Sequence, residues 1–456
     1  MQFVYYPVEM KTIMKTILLL VILTFMGCLP DTSGIDPPGD KLIFPVGLEV
    51  TKNGNYLIVV NSNFDLEYNA GTLVALDLNK LDKRLPSNPN GDTKYDESVC
   101  DELSADGKYC YIEESAFIKE SNTIRLGAYA SDLELTPDKN RALIPVRGSR
   151  AITIIDINEN SGKVLSCGEG KNLRCDREHK IKSNAHVSLP IEPYEVTTKN
   201  YVDPASGETL TLGFATHLAN GEVSLFLISR GKNGDKLDAK LLRVVGGVVP
   251  GASGIVASPT TNDIYVTGRR DPSPHVSVMR VATDGENGSY VSNPWFGQWN
   301  HINIQKELFA GTDARGIAVT KAGDLGFMTT RTPDALLKLD LKNYKLIDMI
   351  TVGTDPSVVK IYEGTDNDHP YAFVLSFLTG QVFIVDTELM QTEVRVTGSG
   401  PQAISFDEKR KRAYIANFRE STITVLDLSG KAPFDHLRVN GRIIKIGKPR
   451  LPKGQN

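Results

Sequence analysis

The sequence predicts an all-β chain folded as a seven-bladed β-propeller, and three observations predict it. A unit of short, β-rich runs recurs with a period near 40 residues, the unit tends to close on Asp, and its runs are bounded by turn residues.

The unit is clearest near the C-terminus. One copy reads PSVVKIY, YAFVLS and GQVFIVD over 356–386, and the next reads PQAISFD, AYIANF and STITVLDL over 401–428. Each run is rich in Val, Ile, Tyr, Phe and Thr, the residues that fit a pleated, half-buried surface. The closing Asp386 and Asp427 are 41 residues apart, the length of a four-stranded blade.

The same template lies on the rest of the chain. Blade one carries PVGLEVT, YLIVVN and GTLVALD over 45–77, and blade two carries SDLELTPD, RALIPV and AITIID over 131–156. Blade three, the most drifted, carries PYEVTT, LGFATH and EVSLFLIS over 193–229. Blade four has SGIVASP, IYVTG and VSVMRV over 253–281, and blade five has RGIAVT, LGFMTT and ALLKLD over 315–340. One blade alone leaves both apolar faces exposed, so blades must pack side by side and close into a ring. Residues 41–44 at one end and 437–446 at the other are both available as the closing strand.

Tyr265-Val266-Thr267-Gly268 and Tyr414-Ile415-Ala416-Asn417, the latter followed by a strand ending in Leu426-Asp427, resemble the YVTN-type β-propeller repeat. That family comprises surface-layer and quinoprotein amine dehydrogenase-like proteins, and the resemblance covers about residues 42–449. It implies an extracytoplasmic seven-bladed propeller and leaves the chemistry open.

The N-terminus reads as a targeting segment over 1–27, with the true start at Met1, Met10 or Met14. Lys15 precedes the apolar run Thr16–Met26, which is too short to span a bilayer and suits a signal peptide. Phe25-Met26-Gly27-Cys28 resembles the lipobox of bacterial lipoproteins. Gly27 and Cys28 match it, whereas Phe25 and Met26 stand where Leu and a small residue are usual. The resemblance implies lipidation of Cys28 and anchoring in the cell envelope. A Pro-, Gly- and Asp-rich stretch follows, so residues 28–41 read as a flexible tether. Residues 42–449 read as the propeller and 450–456 as a tail.

Composition narrows the function classes. Hydrophobic residues make up 41% of the chain, enough for a large core, and the net charge of −4 gives no basic footprint for nucleic acid. Beyond Cys28, four cysteines remain in a chain sent to an oxidising compartment. Three pairings are possible. Local spacing within polar stretches favours Cys100–Cys110 and Cys167–Cys175, with free thiols or a metal site as alternatives.

The recurring closing aspartates suit a turn repeated in every blade rather than chemistry, which needs a residue once. Propeller ligands usually meet the channel mouth, built by the loops before the innermost strands. The two positions after the template Pro would gather Asp132, Tyr194, Glu195, Arg315 and Gln402 around one funnel. Arg315 is the only basic residue there, and it is expected to face solvent and orient an anionic group. Trp295, Phe296 and Trp299, in what reads as a long connection late in blade four, are candidates for gripping a partner or covering a blade edge. Asn88, Asn90 and Asp92, like Asp366 and Asp368, carry oxygen ligands but lack the rest of a calcium loop, so solvated turns are expected and no metal or other cofactor is assigned. No GxSxG, HExxH, Walker-type or CxxCH motif is present.

The reading that results is a lipid-anchored, extracytoplasmic, non-catalytic platform for a protein or glycan partner. The alternative is an enzyme of lactonase or quinoprotein-dehydrogenase type working through the funnel.

Overall fold

The computed structural model describes residues 34–450 apart from 87–94, 169, 171–172, 231–236, 271–274, 305–312, 431 and 433. The leader and Cys28, the C-terminal tail beyond 450, and the Asn88, Asn90 and Asp92 triplet lie outside the described residues.

Among the described residues seven antiparallel meanders follow one another, and the chain is a β-propeller. Blade six shows the pattern in full. Its innermost strand Pro356–Tyr362, then Tyr371–Ser376, Gln381–Asp386 and the outer strand Thr392–Val396 pair in order. The central strands are almost wholly buried and the outer one is half exposed, because blades touch their neighbours through both faces while the rim meets water. The closing aspartates recur for a local reason. The carboxylates of Asp77, Asp340, Asp386 and Asp427 each accept N–H bonds from the residues two or three positions on, which forms the turn leaving the third strand.

Two blades depart from the template through insertions. The outer edge of blade two is split between Leu165–Ser166 and Lys180–Ile181, both paired to Ala151–Ile157. The Cys167–Cys175 disulfide ties the excursion between them. In blade one, Asp77 caps the short helix Leu78–Arg84, and the insertion then runs out before returning as the outer strand Ile118–Leu126.

The outer strand of blade seven is the C-terminal Arg442–Ile446, which pairs with Thr422–Asp427, so all four strands of that blade come from one end of the chain. The N-terminal residues 41–44 supply no strand. The ring is latched instead by the blade-one insertion, whose Tyr109–Ile112 runs parallel to Arg442–Ile446 from Ile443↔Tyr109 to Ile446↔Ile112. The Cys100–Cys110 disulfide fixes that strand to the preceding turn. Arg410 of blade seven, 4% exposed, donates to Asp407 and Asp82, to Asn79 Oδ1 and to the Gly54 carbonyl, tying the last blade to the first.

The tether expected over 28–41 is not free along its whole length. Asp36 pairs with Arg125 at 2.8 Å, Thr123 donates to the Gly39 carbonyl, and Pro37 and Gly39 are buried on blade one. A stretch without apolar periodicity gave no sign of this, because it docks through polar contacts and a glycine where a Cβ would strike Glu120. Among the described residues no helix is long and apolar enough to cross a membrane.

Candidate functional site at the channel mouth

The innermost strands surround an axial channel with two compartments. The larger, about 280 Å³, is lined by Asp132, Glu134, Glu195 and Lys360 among apolar groups, and the smaller, about 150 Å³, by Tyr194, Arg269, Arg315, Arg331, Ser357 and Phe377. Glu195 and Gln402 line both.

Hydroxyl groups pin the blades around this axis. Ser131 donates to the Tyr194 carbonyl at 2.7 Å, Thr216 to that of Ser253 at 2.7 Å, and Thr267 to that of Arg315. Gly254 permits the last approach, since a Cβ there would sit 2.1 Å from the Arg315 carbonyl oxygen. The backbone at Tyr194, Ser253 and Arg315 is thus fixed by the preceding blade.

Of the five residues expected at the funnel, Tyr194, Glu195, Arg315 and Gln402 share the smaller compartment, and Asp132 lies in the larger one. Two of them have structural work. Asp132 Oδ2 accepts from the Val196 N–H of blade three at 3.0 Å, and Glu195 accepts from the Ile255 N–H of blade four. Burial raises both carboxyls, Glu195 well above the ordinary range, and their mutual repulsion adds to the shift of Glu195. Burial likewise pushes Glu134 up to about 8, with Lys360 pulling it down and Glu49 pushing it up. Lys360 itself is held above its usual value despite burial by Glu49, with which it is ion-paired, and by Glu134.

Arg315 is not the solvent-facing charge expected. It is 8% exposed, and its Nη2 donates to Asp313 at 2.7 Å. Nor is it alone. Arg269 and Arg331, at the ends of the second strands of blades four and five, turn into the same compartment. Arg331 pairs with Asp355. The Arg269 guanidinium, half-buried, stands over the Tyr194 ring at 5.5 Å; among the described residues it makes no hydrogen bond or ion pair, and the Asp313 carboxylate, paired with Arg315, attracts it from a distance. Burial and then the Arg315 charge lower Arg331, and burial, with Arg315 also contributing, lowers Arg269; neither approaches deprotonation at any ordinary pH. Arg315 Nε and Ser357 Oγ are also buried here with no hydrogen-bond partner among the described residues. Among the described residues three guanidiniums therefore face two carboxylates that can pair with them, because Glu195 favours its neutral acid. Such a pocket has unmet capacity for an anion.

Arg269 and Arg331 lie at the end of the second strand of their blades, outside the two positions after the template Pro that point to the funnel. The signal was present: Arg147, Arg269 and Arg331 follow the second strand in three blades.

The aromatic segment is a strand, not a connection. Pro294–Asn303 is the outer strand of blade four. Phe296, at 1% exposure, packs on Phe214 between blades three and four, so it cannot meet a partner. Trp299 is 54% exposed, meets Trp295 edge to face and carries Arg280 over its ring at 4.1 Å. At the other loop, Asp366 pairs with Lys411 at 3.3 Å, and among the described residues no cluster of His, Cys, Asp and Glu could hold a metal.

The class that fold and site together define is a β-propeller with a cationic channel mouth, and its two disulfides fit an oxidising, extracytoplasmic compartment. No family model matches the chain, and no curated protein matches it in sequence. Solved structures similar to it include hydrazine synthase from Kuenenia stuttgartiensis, at 12% identity and a TM-score of 0.42 over 85% of this chain and 84% of that one. A candidate 6-phosphogluconolactonase from Bacteroides uniformis is 15% identical, with a TM-score of 0.48 over 90% and 98% of the two chains. A protein of unknown function from Desulfotomaculum acetoxidans is 14% identical, with a TM-score of 0.44 over 73% and 92%. No site residue is carried over from any of them.

Proposed function

We propose that this protein is a lipid-anchored, extracytoplasmic binding platform that captures an anionic group of its partner at the arginine-lined mouth of the channel. The observation that carries the reading is Arg269, a half-buried guanidinium facing the cavity with no ion-pair partner of its own among the described residues. A charge-assisted hydrogen bond from such a donor is about twice as strong as a neutral one, and the planar fork suits carboxylate or phosphate. Arg315 Nε and Ser357 Oγ offer further donors, with Tyr194 and Gln402 beside them.

Isothermal titration of the mature protein with inorganic phosphate and with acetate tests this reading. Saturable binding that disappears in Arg269→Ala is expected; no binding of either anion, or equal binding by the variant, would overturn it. The enzyme alternative has one observation in its favour, the Glu134 carboxyl pushed up to about 8, a range suited to general acid work. Lactone hydrolysis abolished by Glu134→Gln would turn the reading to that side.

A further inference from the structure

The arginine pocket opens onto an apolar arc. Phe377, which lines the pocket, lies 6.1 Å from Phe418, and Phe418 lies 5.2 Å from Phe44 and 5.4 Å from Phe64. Phe64 in turn meets Tyr129 at 6.0 Å. Phe377 and Phe418 directly follow the second strand of their blades, as Arg269 does, and Phe64 lies in the loop that follows the second strand of blade one, so the arc and the pocket share one face of the ring. Phe64, Leu66 and Leu378 are each more than half exposed.

Guanidiniums sit along this arc. Arg419 stands over the Phe377 ring at 4.6 Å, with no side-chain hydrogen bond among the described residues, and Arg450 stands over Phe44 at 4.7 Å. Arg450 pairs with Asp65 and Glu67, yet its Nη1 is buried without a hydrogen-bond partner among the described residues.

Resting on the anion-binding reading above, we infer that the group taken at the mouth is the terminal carboxylate of an extended peptide whose last side chains are apolar. The carboxylate meets Arg269, Arg315 Nε and Ser357 Oγ. Apolar side chains cover the exposed rings and leucines, and the exposed Arg419 guanidinium donates to a main-chain carbonyl. The geometry disfavours other occupants. A neutral sugar would bring no anion to the Arg269 guanidinium. An acyl chain would cover the Arg419 guanidinium with nothing to accept its hydrogen bonds.

Fluorescence anisotropy on the mature protein decides the matter with four probes: a labelled hexapeptide ending in Leu-Phe with a free carboxylate, its C-terminal amide, a labelled oligogalacturonate, and phosphatidylglycerol vesicles. The free acid should bind at least tenfold more tightly than the amide, and Arg269→Ala should erase that difference. Leu378→Ser, at an exposed position that leaves folding intact, should weaken both peptides severalfold without changing their ratio. Equal binding of acid and amide overturns the inference, as does binding of the oligouronate or vesicles in place of the peptide. If no peptide binds while phosphate still titrates the wild type and not Arg269→Ala, this inference falls and the anion site stands. If phosphate and acetate also fail, both fall.

Discussion

The Arg269 guanidinium lies 5.5 Å above the centre of the Tyr194 ring, and among the described residues it makes no hydrogen bond or ion pair. Arg315, in the same compartment, is bound to Asp313 at 2.7 Å. The two arginines should therefore respond differently to truncation. Arg269→Ala forfeits a cation–π contact of about 0.5–1 kcal/mol. Arg315→Ala leaves a carboxylate in the mouth without its cation and should cost about 2–3 kcal/mol, below the range for a fully buried pair because Asp313 retains some solvent. Guanidinium denaturation curves for both variants check the order; equal midpoints would refute it.

The Glu134 carboxyl gives the stability a pH slope of known sign. Its folded value of about 8 lies above the ordinary 4.5 of an unfolded Glu, so the folded state holds the proton where the unfolded state has released it. Stability is unaffected below the unfolded value, falls as pH rises through the window between the two, and levels off above the folded one. Glu134→Gln, which removes this titration, should reduce the slope, the part due to Glu195 and Asp132 remaining, and stabilise the protein at pH 8 by about 1–3 kcal/mol, discounted for water in the channel. Denaturation midpoints at pH 5 and pH 8 measure it; an unchanged slope in the variant would exclude Glu134 as its source. Lys360, Glu49, Asp132 and Lys139 face the same carboxyl and stay in place in both proteins.

Arg410 joins the first and last blades through four acceptors, two of them carboxylates. Arg410→Ala should cost about 3–5 kcal/mol, since Asp407, 1% exposed, is left buried without its cation. Arg410→Lys should restore only part of the loss, because a single ammonium cannot span the fork. Recovery to wild-type stability by Lys would show that the contact needs charge alone.

The two disulfides should fail differently. Replacing Cys100 and Cys110 by Ser removes a short-loop crosslink worth about 2–3 kcal/mol and loosens the strand that latches blade seven. Limited proteolysis should then cut within 101–109. The Cys167, Cys175 double Ser variant should leave that region protected, and cleavage at 101–109 in both would show that the latch does not depend on its own disulfide.

Anchoring is open to a direct test. Labelled palmitate should enter the wild-type protein in its native host, and Cys28→Ala should be unlabelled and released from the membrane fraction. Equal labelling of the two would exclude Cys28 as the lipidated residue.

By itself the sequence determined the repeated blade, the count of runs and the turns that separate them. Each of these is local: a strand's alternation and the Asx turn at Asp386 or Asp427 are set by residues within a few positions of each other. The local cysteine pairs were legible for the same reason. Of the site, Arg315, Tyr194 and Gln402 could be placed at the mouth because each occupies a fixed position in its repeat.

Tertiary structure alone decided how the ring closes and which side chains are free. Tyr109–Ile112 meets Arg442–Ile446 across more than 300 residues of chain, and no periodicity encodes that pairing. Whether an arginine is available to a ligand depends on which carboxylate the folded chain sets beside it. Asp313 and Asp355 neutralise Arg315 and Arg331, and Arg269 keeps its charge for the cavity because the ring of Tyr194, brought from the neighbouring blade, supports it without pairing with it.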